Sequence, residues 1–442
     1  MASLRPGSKE REAMTMRIGI DVGATKTKII MITKQGEIVA RSKIMTDSDK
    51  VPGPIVERAA AAVEDLMRER RVKADQVEAV AVGICGFLNP RTGIIQNSPN
   101  LHWKNVPFKK LMEKRLGRTV YVANDVNAAA WGEFEYGAGR GAQDIIAIFA
   151  GSGIGGGIVC NGRLVEGGTG TAGEVGHLIF RENGLKCDCG QRGCFEAYGG
   201  GMPMERRMRN AAKQGKSPLT LKLAKGELSA INTRVIRLAA AAGDPVAKKI
   251  WEDAEASLGI LCANLVSLLN PDRLVIGGGV VEGNPGLMKT IRETIKAQAV
   301  GLAADHNRVV KSECGDDAVA IGAAALVDLY KESPGGERRV EVPEHRFRVT
   351  ARRIALLSDR RNDVADRRTG PAEQRSVIVD HRARVKPLEQ GLEERRQAGD
   401  RRSGPANRRA GRVDRRSKAA ERQSGATDRR SWIRDRRSRG RT

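Results

Sequence analysis

The sequence predicts an α/β protein with two lobes, on the basis of three observations. Short apolar segments alternate with longer amphipathic segments through the first 330 residues, as in folds that mix strands and helices. Three of the predicted strands run straight into glycine-rich turns. A strand followed by such a turn occurs near residue 20 and again near residue 150, which indicates a duplicated architecture.

The elements predicted for the first lobe follow from local pattern. Residues 18–22 and 27–33 are apolar strands that pair as a hairpin across Gly23 and Ala24, small residues that tolerate a tight turn. Residues 55–70 carry apolar side chains three and four positions apart, which predicts an amphipathic helix. Two further buried strands are expected, at 78–82 and 120–123.

The second lobe is predicted in the same way. A strand at 144–149 opens a second series after a Gly-rich passage. Residues 245–269 form a long helix, because apolar residues recur on one face, Pro245 suits the first turn and Asp244 suits the N-cap. The remaining predicted elements are a strand at 274–276 and a final helix at 318–330.

Charge and composition narrow the class of protein. The 442-residue chain has 77 Lys and Arg against 53 Asp and Glu, a formal net charge of +24. Seven cysteines, an odd number in a long chain, argue against a disulfide framework and favour a reducing, cytoplasmic compartment. The apolar runs fall short of the ~18 residues that a membrane span needs, and no secretory leader pattern is recognised. We therefore expect neither a membrane protein nor a secreted one.

The positive charge is concentrated in the last hundred residues. Residues 341–442 hold 30 Lys and Arg against 15 Asp and Glu, and an Asp-Arg-Arg unit recurs six times. No apolar residues accompany this unit at coiled-coil spacing, so with a linker at 333–336 we expect 332–442 to be a mostly disordered tail. Three interpretations stay open: a solvated extension, weak binding to nucleic acid or another polyanion, and translation of a repetitive DNA stretch.

Three glycine-rich turns follow predicted strands, where backbone N–H groups can approach phosphate oxygens. The second is expected to span 151–157. Asp21, before the first turn, is a candidate to hold Mg²⁺ through water. Rossmann and P-loop motifs are missing from these turns, and a plain hairpin is the alternative for each turn alone. The candidate nucleotide-binding residues are Asp21, Gly23, Thr25, Lys26, Gly151, Ser152, Gly153, Gly155, Gly277, Gly278 and Gly279.

Metal-ligating residue types cluster in the middle of the chain. His177, Cys187, Cys189 and Cys194 have the spacing H-x9-C-x-C-x4-C, and three thiolates with one imidazole fill a tetrahedral zinc shell. A closed shell indicates a structural metal, whereas the alternative is a flexible loop with incidental thiols. The remaining cysteines are expected to be packing residues: Cys85, Cys160, Cys262 and Cys314.

Three carboxylates accompany these motifs. Glu174 lies three residues before His177 and Glu196 two residues after Cys194, so a metal that orders the loop would also position both acids for the hydroxyls of a polyol. Asp125, between a predicted strand and a small-residue helix, is placed to take a proton from a hydroxyl. The alternatives are solvated surface charges for the glutamates and a helix N-cap for Asp125.

Together these motifs resemble the repressor/ORF/kinase (ROK) family of sugar kinases over about residues 16–331, and the metal loop is the most specific of them. The resemblance implies the two-lobed actin-like ATPase fold, which is ribonuclease H-like, with an active-site cleft between the lobes. It implies a small lobe at 17–125, completed by a C-terminal helix at 317–331, and a large lobe with the zinc loop at 126–316.

The resemblance also implies an activity, namely ATP-dependent phosphorylation of a hexose 6-hydroxyl with glucose as the expected substrate. The implied cofactors are ATP, Mg²⁺ and structural Zn²⁺, and the implied assembly is a homodimer or homotetramer. Asp125 would be the catalytic base, and His177 would bind zinc through one ring nitrogen and the sugar through the other. The implied sugar-binding residues are Asn100, Asn124, Asp125, Glu174, His177 and Glu196.

Several alternatives stay open from the sequence. Another hexose or an N-acetylhexosamine could be the acceptor, polyphosphate could replace ATP, and a sugar sensor or a sugar-responsive regulator that binds nucleic acid is a rival function. Only about 16 residues precede the first strand, too few for an N-terminal winged helix-turn-helix. Glycines follow Glu196-Ala-Tyr where the family often has a serine, which bears on substrate fit.

Overall fold

The computed structural model describes residues 15–46 and 51–331, which belong to one compact unit. The linker and the basic tail predicted at 332–442 lie outside the described residues. Within the described ranges, none of the helices combines the length and the apolar character that crossing a membrane requires.

The strands of the described residues contribute much of the apolar core of the two large sheets. The β1 and β4 segments are almost entirely buried. In chain order the strands are β1 (Met16–Val22), β2 (Lys26–Thr33), β3 (Ile38–Met45), β4 (Val77–Ile84), β5 (Phe87–Asn89), β6 (Ile94–Ser98), β7 (Trp103–Val106), β8 (Val120–Asn124), β9 (Ile145–Ala150), β10 (Ile154–Cys160), β11 (Arg163–Leu164), β12 (Arg273–Gly277) and β13 (Arg308–Lys311).

Two five-stranded sheets share one plan. The first has the order β3-β2-β1-β4-β8 and the second the order β11-β10-β9-β12-β13. In each sheet a three-stranded antiparallel meander is extended by two parallel strands, which join at β1 in the first sheet and at β9 in the second. This repetition confirms the duplicated α/β architecture that the sequence predicted.

Sequence pattern did not reveal the third sheet, β5-β6-β7, or the edge strand β3. The strands of the third sheet are three to five residues long, too short for a clear alternation. Strand β3 is an edge strand that pairs only with β2, and Ala40 is its one buried residue, so it shows no clear buried face in the sequence.

The helices include the predicted long one, which spans the same residues as expected. Asp244 caps it, because its Oδ1 accepts hydrogen bonds from the amides of Val246 and Ala247, each at 3.0 Å. In chain order the helices are α1 (Pro52–Glu69), α2 (Phe108–Leu116), α3 (Asp125–Tyr136), α4 (Phe195–Gly199), α5 (Gly201–Lys213), α6 (Pro218–Leu223), α7 (Thr233–Ala241), α8 (Pro245–Leu269), α9 (Gly279–Glu282), α10 (Gly286–Gln298), α11 (Gly301–His306) and α12 (Ala318–Lys331).

Helices α3 and α12 pack closely on each other and connect the two sheets. A Cβ atom built at Gly322 would lie 1.6 Å from the carbonyl oxygen of Ala128, so glycine is required for this approach. Helix α12 also packs on β1, where a Cβ at Gly19 would lie 1.8 Å from the Ala320 carbonyl oxygen. Helix α3 contacts β10 of the second sheet as well as α12. The lobe boundaries at 125/126 and 316/317 stay predictions.

Candidate active site

Asp125 and Asn124 lie where β8 ends and α3 begins. Asn124 is the N-cap of α3, since its Oδ1 accepts hydrogen bonds from the amides of Val126 and Asn127 at 2.9 and 3.0 Å. Its Nδ2 donates to the Gly86 carbonyl at 3.3 Å. Asp125 is the first helical residue, and its Oδ1 accepts from the Val126 amide at 3.0 Å. The capping role considered for Asp125 therefore belongs to Asn124.

Asp21, at the end of β1, lies close enough to Asp125 to respond to its charge. Burial and then the Asp125 carboxylate raise the pKa of Asp21 to about 7, while Lys28 acts in the opposite direction. Burial also raises the pKa of Asp125, against the effect of the hydrogen bond from Val126. Two buried carboxylates that repel each other form an electrostatic environment suited to a divalent cation and a general base.

The first glycine-rich turn joins β1 to β2 as a hairpin. The Gly23 amide donates to the Lys26 carbonyl at 3.2 Å, and Thr25 and Lys26 are exposed at the tip. Thr46 braces the turn, because its hydroxyl donates to the Gly23 carbonyl at 2.7 Å and its amide to the Thr25 carbonyl at 2.9 Å. The turn is thus a hairpin whose exposed tip follows directly on Asp21.

The second turn is shorter than the sequence indicated. Residues 151–153 connect β9 to β10, whereas 154–157 already belong to β10, so the expected seven-residue turn was wrong. The glycines of β10 make room for α3, and a Cβ at Gly155 would lie 2.5 Å from Val126 Cγ2. Ser152 is exposed at the turn. A run of glycines in sequence does not distinguish a loop from a strand against which another element packs closely.

Gly153 brings the second turn into contact with Glu196. The Oε2 atom of Glu196 accepts a hydrogen bond from the Ile154 amide at 2.9 Å. A Cβ at Gly153 would lie 2.1 Å from that same oxygen. The candidate nucleotide turn is therefore joined directly to the acid that follows the cysteine-rich loop.

The third turn follows β12 and lies beside the second. Gly277 ends the strand, Gly278 has a φ of +92°, and Gly279 begins α9. Strand β12 pairs in parallel with β9, and a Cβ at Gly278 would lie 2.5 Å from the Ala150 carbonyl oxygen. Both turns thus lie at the carboxyl edge of the second sheet, where open α/β sheets bind their ligands.

The four candidate metal ligands converge in space. One donor atom of each of His177, Cys187, Cys189 and Cys194 lies within 4.8 Å of the others. Cys187 Sγ is 3.7 Å from His177 Nδ1, and the sulfurs of Cys189 and Cys194 are 3.7 Å apart. A tetrahedral zinc ion with Zn–S bonds of about 2.3 Å places its sulfurs about 3.8 Å apart, so these donors fit a closed zinc shell.

His177 presents one ring nitrogen to this cluster and the other to Glu174. Its Nδ1 faces Cys187, and its Nε2 is 3.8 Å from Glu174 Oε2. Burial raises the pKa of Glu174, His177 opposes this, and the carboxylates of Asp125 and Glu196 raise the pKa further. Glu174 therefore lies within electrostatic range of both Asp125 and Glu196.

Asn100 follows β6 of the third sheet, and Cys85 follows β4 of the first sheet. Asn100 is exposed in a one-turn 3₁₀ helix at Pro99–Leu101. The Sγ atom of Cys85 is 3.7 Å from Ser98 Oγ. Burial, and next the charge of Asp125, raises the pKa of the Cys85 thiol to about 12. Cys85 thus lies beside the candidate catalytic residue, and its position just after a strand was the one sequence signal for this.

The packing role expected of the other cysteines is correct in part. Cys262 is fully buried in the core around α8. The Cys314 thiol is half-buried and donates to the Gly132 carbonyl at 3.5 Å. Cys160 is exposed at the end of β10, so the expectation was wrong there, because a strand end can face solvent whatever its neighbours in sequence.

Fold and site together define a class of protein. Two sheets of the same plan, joined by α3 and α12 and each bearing glycine turns after its strands, constitute the actin-like ATPase fold. The acids around Asp125 and the adjoining Cys₃His cluster form the candidate site within that fold.

Comparison with known proteins supports the same class. A sequence model of the ROK family matches residues 17–329. The chain is 34% identical over 319 residues to a glucokinase from Streptomyces coelicolor, which covers 71% of this chain and 98% of that one. A xylose repressor from Caldicellulosiruptor bescii is 28% identical over 318 residues, covering 70% and 77%.

A solved structure is similar over the same part of the chain. It is a ROK family glucokinase from Streptomyces griseus in complex with glucose and AMPPNP, 33% identical, with a TM-score of 0.61 and coverage of 71% of this chain and 99% of that one. The chain belongs to the ROK family.

Proposed function

We propose that this protein transfers the γ-phosphoryl group of ATP to the 6-hydroxyl of glucose. The observation that carries the proposal is the position of Asp125, a buried acid at the start of α3 that acts electrostatically on both Asp21 and Glu174. The similarity to glucokinases over nearly their whole length supports glucose and ATP as the substrates.

In the proposed reaction Asp125 accepts the proton of the 6-hydroxyl. The oxygen then attacks the γ-phosphorus, the bond to the β-phosphate oxygen breaks and ADP leaves. The raised pKa of Asp125 makes its carboxylate a stronger proton acceptor than a solvated aspartate. Mg²⁺, held by Asp21 through water, would neutralise charge on the phosphates. Backbone amides of the turns that begin at Gly23, Gly151 and Gly278 contribute further to that neutralisation.

Sugar positioning is assigned to groups that converge on Asp125. Glu174, Glu196 and the Nε2 atom of His177 offer acceptors and a donor to sugar hydroxyls, and the 3.8 Å separation of Nε2 from Glu174 supports a shared ligand. Asn100 and Asn124 complete the proposed set. Zn²⁺, bound by His177 Nδ1 and the three thiolates, would order the loop from which these groups project.

Quaternary structure and location are proposed on separate grounds. Leu268, Val300 and Leu302 are 74%, 61% and 87% exposed at neighbouring ends of α8 and α11, and this apolar surface supports a homodimer or homotetramer. The free thiols support a reducing, cytoplasmic compartment.

A coupled assay tests the function. Purified protein is offered glucose, mannose, fructose, N-acetylglucosamine, N-acetylmannosamine and allose, each with ATP and with polyphosphate. We expect the highest kcat/KM with glucose and ATP. Asp125→Asn should lower kcat about 10²- to 10⁴-fold while calorimetry still detects glucose binding. The matched control Asp65→Asn, on the solvent side of α1, should leave kcat unchanged. Unchanged turnover in Asp125→Asn would contradict the assignment.

A sugar-responsive regulator is the second candidate, supported by the similarity to the xylose repressor. A gel shift with nucleic acid, with and without residues 341–442, distinguishes it. Sugar-dependent binding of a specific sequence without any turnover would favour the regulator over the kinase.

A further inference from the structure

A second cleft lies apart from the site around Asp125. It has a volume of about 960 Å³, within the range of pockets that hold small molecules. Its walls come from residues 89–91 after β5, residues 164–170 after β11, and the end of α12. The residues that line it are different from all those proposed to bind sugar, nucleotide or metal.

Positive charge lines one side of this cleft. Arg91 and Lys109 both contribute to the lining. Lys109 Nζ is 4.0 Å from the Glu113 carboxylate, a loose pair that leaves its charge largely effective. Lys331 also lines the cleft, but its Nζ is held by Glu78 at 2.5 Å. The lining holds three basic side chains against one acid, Glu166, so its charge favours an anion.

Two aromatic rings, Tyr121 and Tyr330, form another part of the wall. The rings of Tyr121 and Tyr330 stack with centroids 6.0 Å apart and an interplanar angle of 21°. The Tyr330 hydroxyl donates to Glu166 at 2.9 Å. Gln96 and Thr119 add exposed amide and hydroxyl groups. An apolar ring face beside such polar groups matches a sugar, which has C–H faces and a rim of hydroxyls.

We propose that this cleft is a second ligand site that binds a phosphorylated sugar. The phosphate lies at Arg91 and Lys109, and the sugar ring lies against Tyr121 and Tyr330. The site is distinct from the phosphoryl-transfer site, because residues 164–170 and 89–91 form it without Asp125.

Gly168 offers a way to block the cleft without disturbing the fold. It lines the cleft, and a Cβ built on it meets nothing within 4 Å. Gly168→Glu therefore adds bulk and negative charge where the ligand is proposed to lie. Gly286→Glu is the matched control, since Gly286 starts α10, outside the cleft, and also has open space around its Cβ position.

Calorimetric binding of glucose 6-phosphate, in the presence of saturating glucose to occupy the catalytic site, tests the proposal. We expect the wild type to bind. Gly168→Glu and the double variant Arg91→Gln/Lys109→Gln should each weaken binding at least about tenfold. Gly286→Glu should bind as the wild type does. If Gly168→Glu fails to fold, the double variant provides the same test.

Three results would overturn the proposal. They are complete loss of glucose 6-phosphate binding when glucose is added, wild-type affinity for glucose 6-phosphate in both cleft variants, and binding of inorganic phosphate as tightly as glucose 6-phosphate. Glucose 1-phosphate in a parallel titration shows which phosphosugar is preferred, and binding of either one supports the site. The readout is binding without turnover, so a failure of the proposed kinase activity would not be mistaken for a failure of this site.

Discussion

Arg181 and Asp253, 72 positions apart in the sequence, form an ion pair of 2.8 Å between the metal loop and helix α8. Asp253 is 3% exposed and also pairs with Arg207 of α5 and Lys249 of α8, each at 3.1 Å. The Arg181 guanidinium lies 4.6 Å from the ring centroid of Phe180. The loop that carries His177 and the three cysteines is therefore held from outside by a buried carboxylate.

Replacing this carboxylate should loosen the loop. We expect Asp253→Asn to lower the free energy of unfolding by about 2 kcal/mol, because a buried acceptor of charged hydrogen bonds is lost while its partners still reach water. Amide hydrogen exchange should increase in 178–194. The control Asp188→Asn breaks an exposed pair with Arg206 and should cost less than about 1 kcal/mol. Equal stability of the two variants would contradict the bracing role.

Metal content tests the cysteine cluster. We expect one zinc ion per wild-type chain, and its loss in Cys189→Ser, because three protein ligands remain where a structural shell has four. Glucose affinity should fall at least about tenfold as the loop that bears His177 loses order. Cys160→Ser, at an exposed cysteine outside the cluster, should keep both zinc and affinity. Finding no zinc in the wild type would disprove the assignment.

The raised pKa of Asp21 predicts a pH dependence of stability. Its pKa is about 7 in the folded protein against an ordinary value of 3.8, so between these values the unfolded chain binds fewer protons than the folded one. The free energy of unfolding should therefore fall as pH rises from about 4 to 7. Asp21→Asn should be more stable than the wild type above pH 7 and about equal to it near pH 4.

Urea unfolding without Mg²⁺, from pH 4 to 8, measures this effect. Asp75→Asn, at an exposed aspartate, should follow the wild-type curve. Parallel curves for Asp21→Asn and the wild type over that range would show that the Asp21 carboxyl is not the cause.

Gly278 should tolerate no side chain. Its φ is +92°, and a Cβ atom at this position would lie 2.5 Å from the Ala150 carbonyl oxygen. We therefore expect Gly278→Ala to lower the free energy of unfolding by about 1–3 kcal/mol. The KM for ATP should rise, because the second and third turns move apart. Gly286→Ala, with open space at the same atom, should be neutral or stabilising. Similar melting temperatures for the two variants would refute this.

Some features of the fold were readable because they depend on neighbouring residues. The β1–β2 hairpin and the helix from Pro245 to Leu269, with its Asp244 cap, agree with the predictions. Caps and periodic apolar faces are local properties, so a window of the sequence contains them. The convergence of the four candidate metal ligands was also predictable, because four donors at short spacing have few other uses.

Other features required the folded chain. Sequence alone left Asp125 open between an N-cap and a base, and the hydrogen bonds of Asn124 exclude the N-cap role for Asp125. Gly155 was expected in a turn and lies in a strand, because its role is to let α3 approach. Cys85 and Asp253 had no local signal of importance, since their partners are distant in sequence.

The sequence by itself determined the α/β class, the family and the chemical groups available, because residue types, spacing and periodicity are written along the chain. Tertiary structure alone decided which acids Asp125 acts on, which glycines touch other elements, and that a second cleft forms between residues 89–91 and 164–170. The physical reason is the distance over which each kind of interaction acts. Capping and periodicity act over a few residues, whereas burial and charge interaction depend on distance in space, which packing of the two sheets and α3 establishes.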